Sequence, residues 1–90
     1  MSVYVDNYRA PFRSQRGFIL RMSHMLADTP EELHSMAERI GVARRWFQGD
    51  HYDVCEAKRL AAIKLGAVAC QPRDLVAIRR AWRAAGWDRP

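Results

Sequence analysis

Val3-Tyr4-Val5 is a short β-prone run that stops at Asp6, and the segment 7–17 that follows holds Pro11, polar and charged breakers and no clean period. The pattern predicts a strand followed by a loop or arm that is both basic and aromatic. Phe18 to Leu26 is apolar enough for either a strand or a helix. It lacks caps and still has to reach Asp28, so it reads as extended. Thr29-Pro30-Glu31-Glu32 is a capping box with proline at the first helical position, and a helix begins there. Leu33, Met36, Ala37 and Ile40 recur at three and four residues along one stripe, and Gly41 supplies the stop.

Val42 to Gln48 then reads as a strand. Asp53-Val54-Cys55-Glu56 repeats the capping pattern, with Asp53 as the N-cap of a second helix whose Ala57, Leu60, Ala61 and Leu65 share one side and whose stop is Gly66. Ala67 to Cys70 is the next strand. Pro72 and Asp74 open a last helix with Leu75, Ile78, Trp82 and Ala85 inward and Gly86 at its end. Strands joined through helices lie parallel with right-handed crossovers. The chain therefore predicts a single α/β domain over 1–90, with a mainly parallel sheet of about four strands and about three helices. The strands ending at Asp6, Gln48 and Cys70 would point the same way, and ligands in open parallel sheets gather beyond such ends.

Composition narrows the class without naming a reaction. Nearly half the residues are apolar and more than a quarter charged, as in ordinary globular domains. No apolar run reaches transmembrane length, and charges at Asp6 and Arg9 interrupt any signal-peptide segment, so the expectation is a cytoplasmic protein with no membrane partner. The net charge is +5, with Arg9, Arg13, Arg16 and Arg21 near the start and Arg73, Arg79, Arg80, Arg83 and Arg89 near the end. Such a surface attracts polyanions. Cys55 and Cys70 are too few for a disulfide framework or a zinc knuckle and read as free thiols.

Trp46-Phe47-Gln48-Gly49-Asp50-His51-Tyr52-Asp53 ends an apolar stretch in groups that bind protons, metals or phosphates. With Asp6, His24 and Asp28 from earlier in the chain, it offers a constellation of carboxylates and imidazoles. Such groups hold a divalent metal that polarises a phosphoryl oxygen or lowers the pKa of bound water; alternatively, an imidazole oriented by a carboxylate acts as a general base. The spacing matches no metalloprotease, P-loop or dinucleotide pattern. Plainer roles compete: Asp53 as a helix cap, Asp28 as a turn residue, and His34 as a packed residue beside its helix stripe. His51 and Asp6 are demanded by neither cap nor stripe.

Val3-Tyr4-Val5-Asp6, Ser23-His24, Ala27-Asp28-Thr29, Glu32-Leu33-His34, Trp46-Phe47-Gln48 and His51-Tyr52-Asp53-Val54 occur in the order found in the bacterial and phage family called domain of unknown function 4031, which the chain resembles over nearly its whole length. Met22 stands where that family commonly carries tryptophan. The resemblance implies a fold and a site but no reaction.

Together these readings lead us to expect Asp6, His24, His51 and Asp53 as catalytic residues, with Arg9, Arg13 and Tyr52 binding an anionic or phosphate-bearing ligand. Metal-assisted phosphoester hydrolysis is the corresponding chemistry, with a divalent metal as cofactor; whether the chain is an enzyme stays open. The alternative is a non-enzymatic phage or bacterial accessory protein. It would bind nucleic acid or a host protein through the N-terminal segment and arm, where Tyr4, Tyr8, Phe12 and Phe18 interleave with Arg13 and Arg16, and through its last helix. Trp87, beyond the helix stop, would offer a homodimer contact.

Overall fold

A computed structural model describes residues 2–88; Arg89, counted above among the basic residues, lies outside them. The chain runs β1 (Val3–Val5), β2 (Ala10–Arg13), β3 (Ile19–Ala27), α1 (Pro30–Arg39), β4 (Tyr52–Cys55), α2 (Glu56–Lys64), β5 (Val68–Ala69) and α3 (Val76–Ala85), with 3-10 turns at Arg44–Trp46 and Pro72–Leu75. It is an α/β domain with three helices and a five-stranded sheet.

The sheet is mixed, which corrects the expectation of a mainly parallel one. Among the described residues only β1 and β5 pair in parallel; β3 pairs antiparallel with β1, β2 and β4. The cause is the segment 7–17, read above as a loop. It contains β2, which turns back into β3 through Ser14 and Gly17, and so short a link cannot carry the crossover a parallel pair requires.

Met22 pairs with both Ala10 and Cys55, and Met25 with both Val5 and Tyr52. A strand has two edges, so β4 takes one edge of β3 while β1 and β2 share the other. Between those shared pairings the β3 side has Ser23 and His24, but the opposite side has the four residues from Asp6 to Arg9. The surplus forms a bulge in which Arg9 takes φ 57°.

Val42 to Gln48 is not a strand. Its Arg44-Arg45-Trp46 core forms an exposed 3-10 turn, since consecutive arginines cannot fill either face of a buried strand. Asp53 is likewise not a helix cap. It lies inside β4, and Cys55 stands at the N-cap of α2 without a side-chain capping bond. Alternating burial over Tyr52–Cys55 shows why: Tyr52 and Val54 enter the core, and Asp53 and Cys55 take the other face.

Thr29 caps α1 as expected, its Oγ1 accepting the Glu32 N–H at 3.3 Å, and Leu33, Met36, Ala37 and Ile40 pack onto Val3, Val5, Met25, Tyr52 and Val54. Most of the stripe expected on α2 points outward instead: Ala57, Leu60 and Leu65 are exposed, Ala61 packs partly buried against the core, and Ala62 is the residue that helix buries. In α3 Trp82 is fully buried, with its indole N–H donating to the Ala27 carbonyl at 2.9 Å, while Ala85 is exposed. No helix among the described residues is long and apolar enough to cross a membrane.

Candidate functional site

The bulge after β1 creates the site. Where β1 parts from β3, the Asp6 carboxylate stands in for the missing strand carbonyl: Oδ1 accepts the backbone N–H of His24 at 2.8 Å and that of Tyr8 at 3.2 Å. Its Oδ2 meets His24 Nδ1 at 2.6 Å. Asp6 is fully buried, and its own carbonyl accepts from Arg59 Nε at 2.8 Å. An ionised carboxylate oxygen only accepts, so the proton between the two groups sits on His24 Nδ1, and in the neutral imidazole Nε2 keeps the lone pair.

A second imidazole is held by the same device. Gln48 N–H donates to the His51 carbonyl across a tight turn in which Gly49 takes φ 94°, and the turn places Asp50 Oδ1 2.6 Å from His51 Nδ1. A Cβ at residue 49 would be strained by that φ and would come to 3.3 Å from the Asp88 carbonyl. His51 Nε2 then lies 3.4 Å from Asp53 Oδ1, while Asp53 Oδ2 accepts from Gln48 Nε2 at 2.7 Å.

His24 and Asp53 are register partners across β3 and β4, so their side chains leave the same face of the sheet. The His24 and His51 rings meet edge to face with centroids 5.4 Å apart. As a result, one ligand atom from each of His24, His51 and Asp53 falls within 4.8 Å of the others, an arrangement able to hold a metal ion. The three are partly buried, open enough for a ligand to approach. Two imidazoles and one carboxylate suit zinc or another first-row transition metal better than magnesium or calcium, which favour oxygen. Each imidazole has a carboxylate on its other nitrogen, the partner that fixes the tautomer and orientation of metal-binding histidines.

On one side of the triad is a hollow of about 150 Å³ lined by Asp6, His24, Pro72, Leu75, Val76 and Arg79. Arg79 Nε stands 3.8 Å from Asp50 Oδ2, so a guanidinium borders the carboxylate that holds His51. Tyr8, largely exposed, leans over His24 with ring centroids 5.1 Å apart.

The other expected ligand-binding residues lie elsewhere. Tyr52 points to the opposite face of the sheet, is fully buried, and bonds His34 Nδ1 at 2.7 Å through its hydroxyl; burial raises its pKa. Arg9 is paired with Glu56 at 2.7 Å. Arg13 pairs with Ile19, five residues along β3 from His24 or about 17 Å at strand rise, and donates to the Gly17 carbonyl. Asp28 accepts from the Ser2 N–H and the Tyr4 hydroxyl, tying Ser2 and β1 to the end of β3. Asp50, Gln48 and Arg79 were not singled out from the sequence. Asp50 had a signal, directly preceding His51 in a glycine turn; Arg79 read as one of several basic residues of the last helix, with nothing local to tie it to His51.

A family model described as "Protein of unknown function (DUF4031)" matches residues 3–82, and the chain belongs to that family. No curated protein and no solved structure matches the chain.

Proposed function

We propose that His24, His51 and Asp53 bind one divalent transition metal, zinc being the best fit, and that the centre hydrolyses an anionic ester of the phosphoester class. The observation that carries this reading is the paired construction: two histidines from distant parts of the chain, each with its Nδ1 held by its own carboxylate, converge with Asp53 on one point. A structural polar cluster has no need of two separately oriented imidazoles.

When bound, the metal supplies Lewis acidity and lowers the pKa of a coordinated water. Asp6 and Asp50 keep the two imidazoles in the ligating tautomer, Gln48 orients Asp53, and Arg79 draws the anionic group into the hollow beside His24. In the hydrolysis, a water oxygen forms the new bond to phosphorus and the ester P–O bond breaks. The leaving oxygen keeps that electron pair and takes up the proton the water gives up, so a diester and water become a monoester and an alcohol.

Metal titration of the metal-free protein tests the reading. A ligand at about a hundred times its Kd stabilises a fold by about 2.7 kcal/mol. For a chain of this size that raises Tm by about 10 °C or more. We expect such a rise with zinc or manganese at one ion per chain, its loss in His51→Ala and Asp53→Ala, and metal-dependent cleavage of bis(p-nitrophenyl) phosphate. No bound ion and no shift with zinc, manganese or magnesium would overturn the proposal.

A further inference from the structure

The sheet face that carries His24 and Asp53 continues past them along β3 and β2. Strand alternation puts Met22, Leu20 and Phe12 on it. Here an open groove of about 510 Å³ is lined chiefly by apolar atoms, with Phe12, Leu20 and Met22 as its floor and Trp46, Arg45 and Lys58 on its walls. Gln48 and Asp53 line it too, so it runs directly into the metal triad.

Its exposed groups are of two kinds. Phe12 is 55% exposed and Trp46 59%, so much of both rings is open to solvent along one continuous apolar groove. Arg45 lies over the Trp46 ring at 5.3 Å, and neither Arg45 nor Lys58 forms an ion pair among the described residues. Flat apolar rings interleaved with free cations suit a ligand that is planar and anionic by turns. The protein's net charge of +5 adds a long-range attraction for a polyanion.

We propose that this groove is the substrate channel of the metal site and that its occupant is single-stranded nucleic acid, with bases on Phe12 and Trp46 and phosphates on Arg45 and Lys58. The inference rests on the metal reading for the word substrate, and on the groove alone for the binding. Phe12 is four register positions from His24, counted through its partner Leu20, or about 13 Å at strand rise. A strand lying on the aromatic floor would therefore bring a neighbouring phosphodiester to the triad. A duplex cannot bind in this way, because its bases are already stacked.

Fluorescence anisotropy with a labelled thymidine 16-mer, its RNA counterpart and a duplex of equal length tests the inference, in EDTA and again with zinc. Stacking on an aromatic side chain contributes about 1–3 kcal/mol per base, so Phe12→Ala and Trp46→Ala should each weaken single-strand binding about 5- to 150-fold. Arg45→Gln and Lys58→Gln should each reduce the salt slope by about 0.7. Both aromatic positions are exposed, and unchanged melting of the variants will show the fold intact. Binding that favours single strands in EDTA and falls in the aromatic variants supports the channel even if the metal assay fails. Equal affinity for duplex, or no effect of Phe12→Ala and Trp46→Ala, overturns it while leaving the metal centre standing. So does an outcome in which those variants impair cleavage of a small aryl phosphate but no oligonucleotide binds.

Discussion

Tyr52 and Asp53 are neighbours on one strand, and they serve opposite faces of the molecule. Tyr52 turns into the closed face, where it bonds His34, packs beside Phe47 and is shut off from water. Asp53 turns to the open face, where it meets His51 and Gln48 and stays partly exposed. Each face thus has a histidine cluster, and the two differ in what surrounds them. On the closed face one imidazole is held by the Tyr52 phenol and packs edge to face with Phe47; on the open face two imidazoles are held by two carboxylates. Apolar surroundings disfavour a charged imidazole and suit packing, whereas carboxylate partners on Nδ1 leave Nε2 available for a cation.

The strongest way to break this contrast is to truncate both neighbours. Tyr52→Ala removes a buried aromatic ring and should cost about 3–5 kcal/mol, enough to threaten the fold. Asp53→Ala removes a partly exposed carboxylate and should change stability by less than about 1 kcal/mol while abolishing the metal-induced rise in Tm. Denaturant unfolding of the metal-free variants checks both. Equal costs at the two positions would remove the distinction between a packing face and a ligand face.

Asp6 joins the two roles, because a buried carboxylate there both closes the bulge and orients His24. Asp6→Ala leaves the backbone N–H of His24 without its acceptor. A hydrogen bond to a charged group contributes about 1.5–3 kcal/mol. We expect a loss of about 2–3 kcal/mol together with weakened metal binding. Asp50→Ala, at a partly exposed turn, should weaken the metal while costing less stability. Thermal melts with and without zinc separate the two terms. A metal affinity unchanged in both variants would show that the carboxylates do not position the imidazoles.

How much of this was legible beforehand follows from which residues act through local signals. The Thr29 cap and the stripe from Leu33 to Ile40 are local, and α1 reads correctly from them. Asp6 and His51 stood out because neither cap nor stripe demanded them, whereas Asp53 read first as a helix cap; the fold brings all three together with His24. What stayed hidden depends on distant partners. Asp53-Val54-Cys55-Glu56 has the form of a helix cap, yet pairing with β3 draws it into a strand. The inward side of α2 could not be found from apolar spacing, since Arg59 gives its guanidinium to the Asp6 carbonyl just past β1 while Leu60 is left outside. β2 was unreadable because Pro11 and the charges of the arm conceal a strand that pairs only along one edge.

The smallest expected effect sharpens the contrast on the closed side. Burial, with the Arg44 guanidinium adding to it, holds the His34 pKa below its ordinary value of 6.5. The unfolded chain therefore takes up a proton near pH 6.5 that the native His34 still resists. The stability this supplies is complete above pH 6.5 and is lost as the pH falls through the lower native value. His34→Gln lacks that dependence, so the Tm advantage of the wild type over this variant should shrink between pH 7.5 and pH 5. Tyr52→Phe, which deletes only the hydroxyl partner, should cost about 1 kcal/mol at neutral pH. Proton NMR of the imidazole resonances gives the direct measurement, with His34 titrating below 6.5 in the metal-free protein. A midpoint at or above 6.5 would mean that the closed face is wet, and the two histidine clusters would then differ in their partners alone.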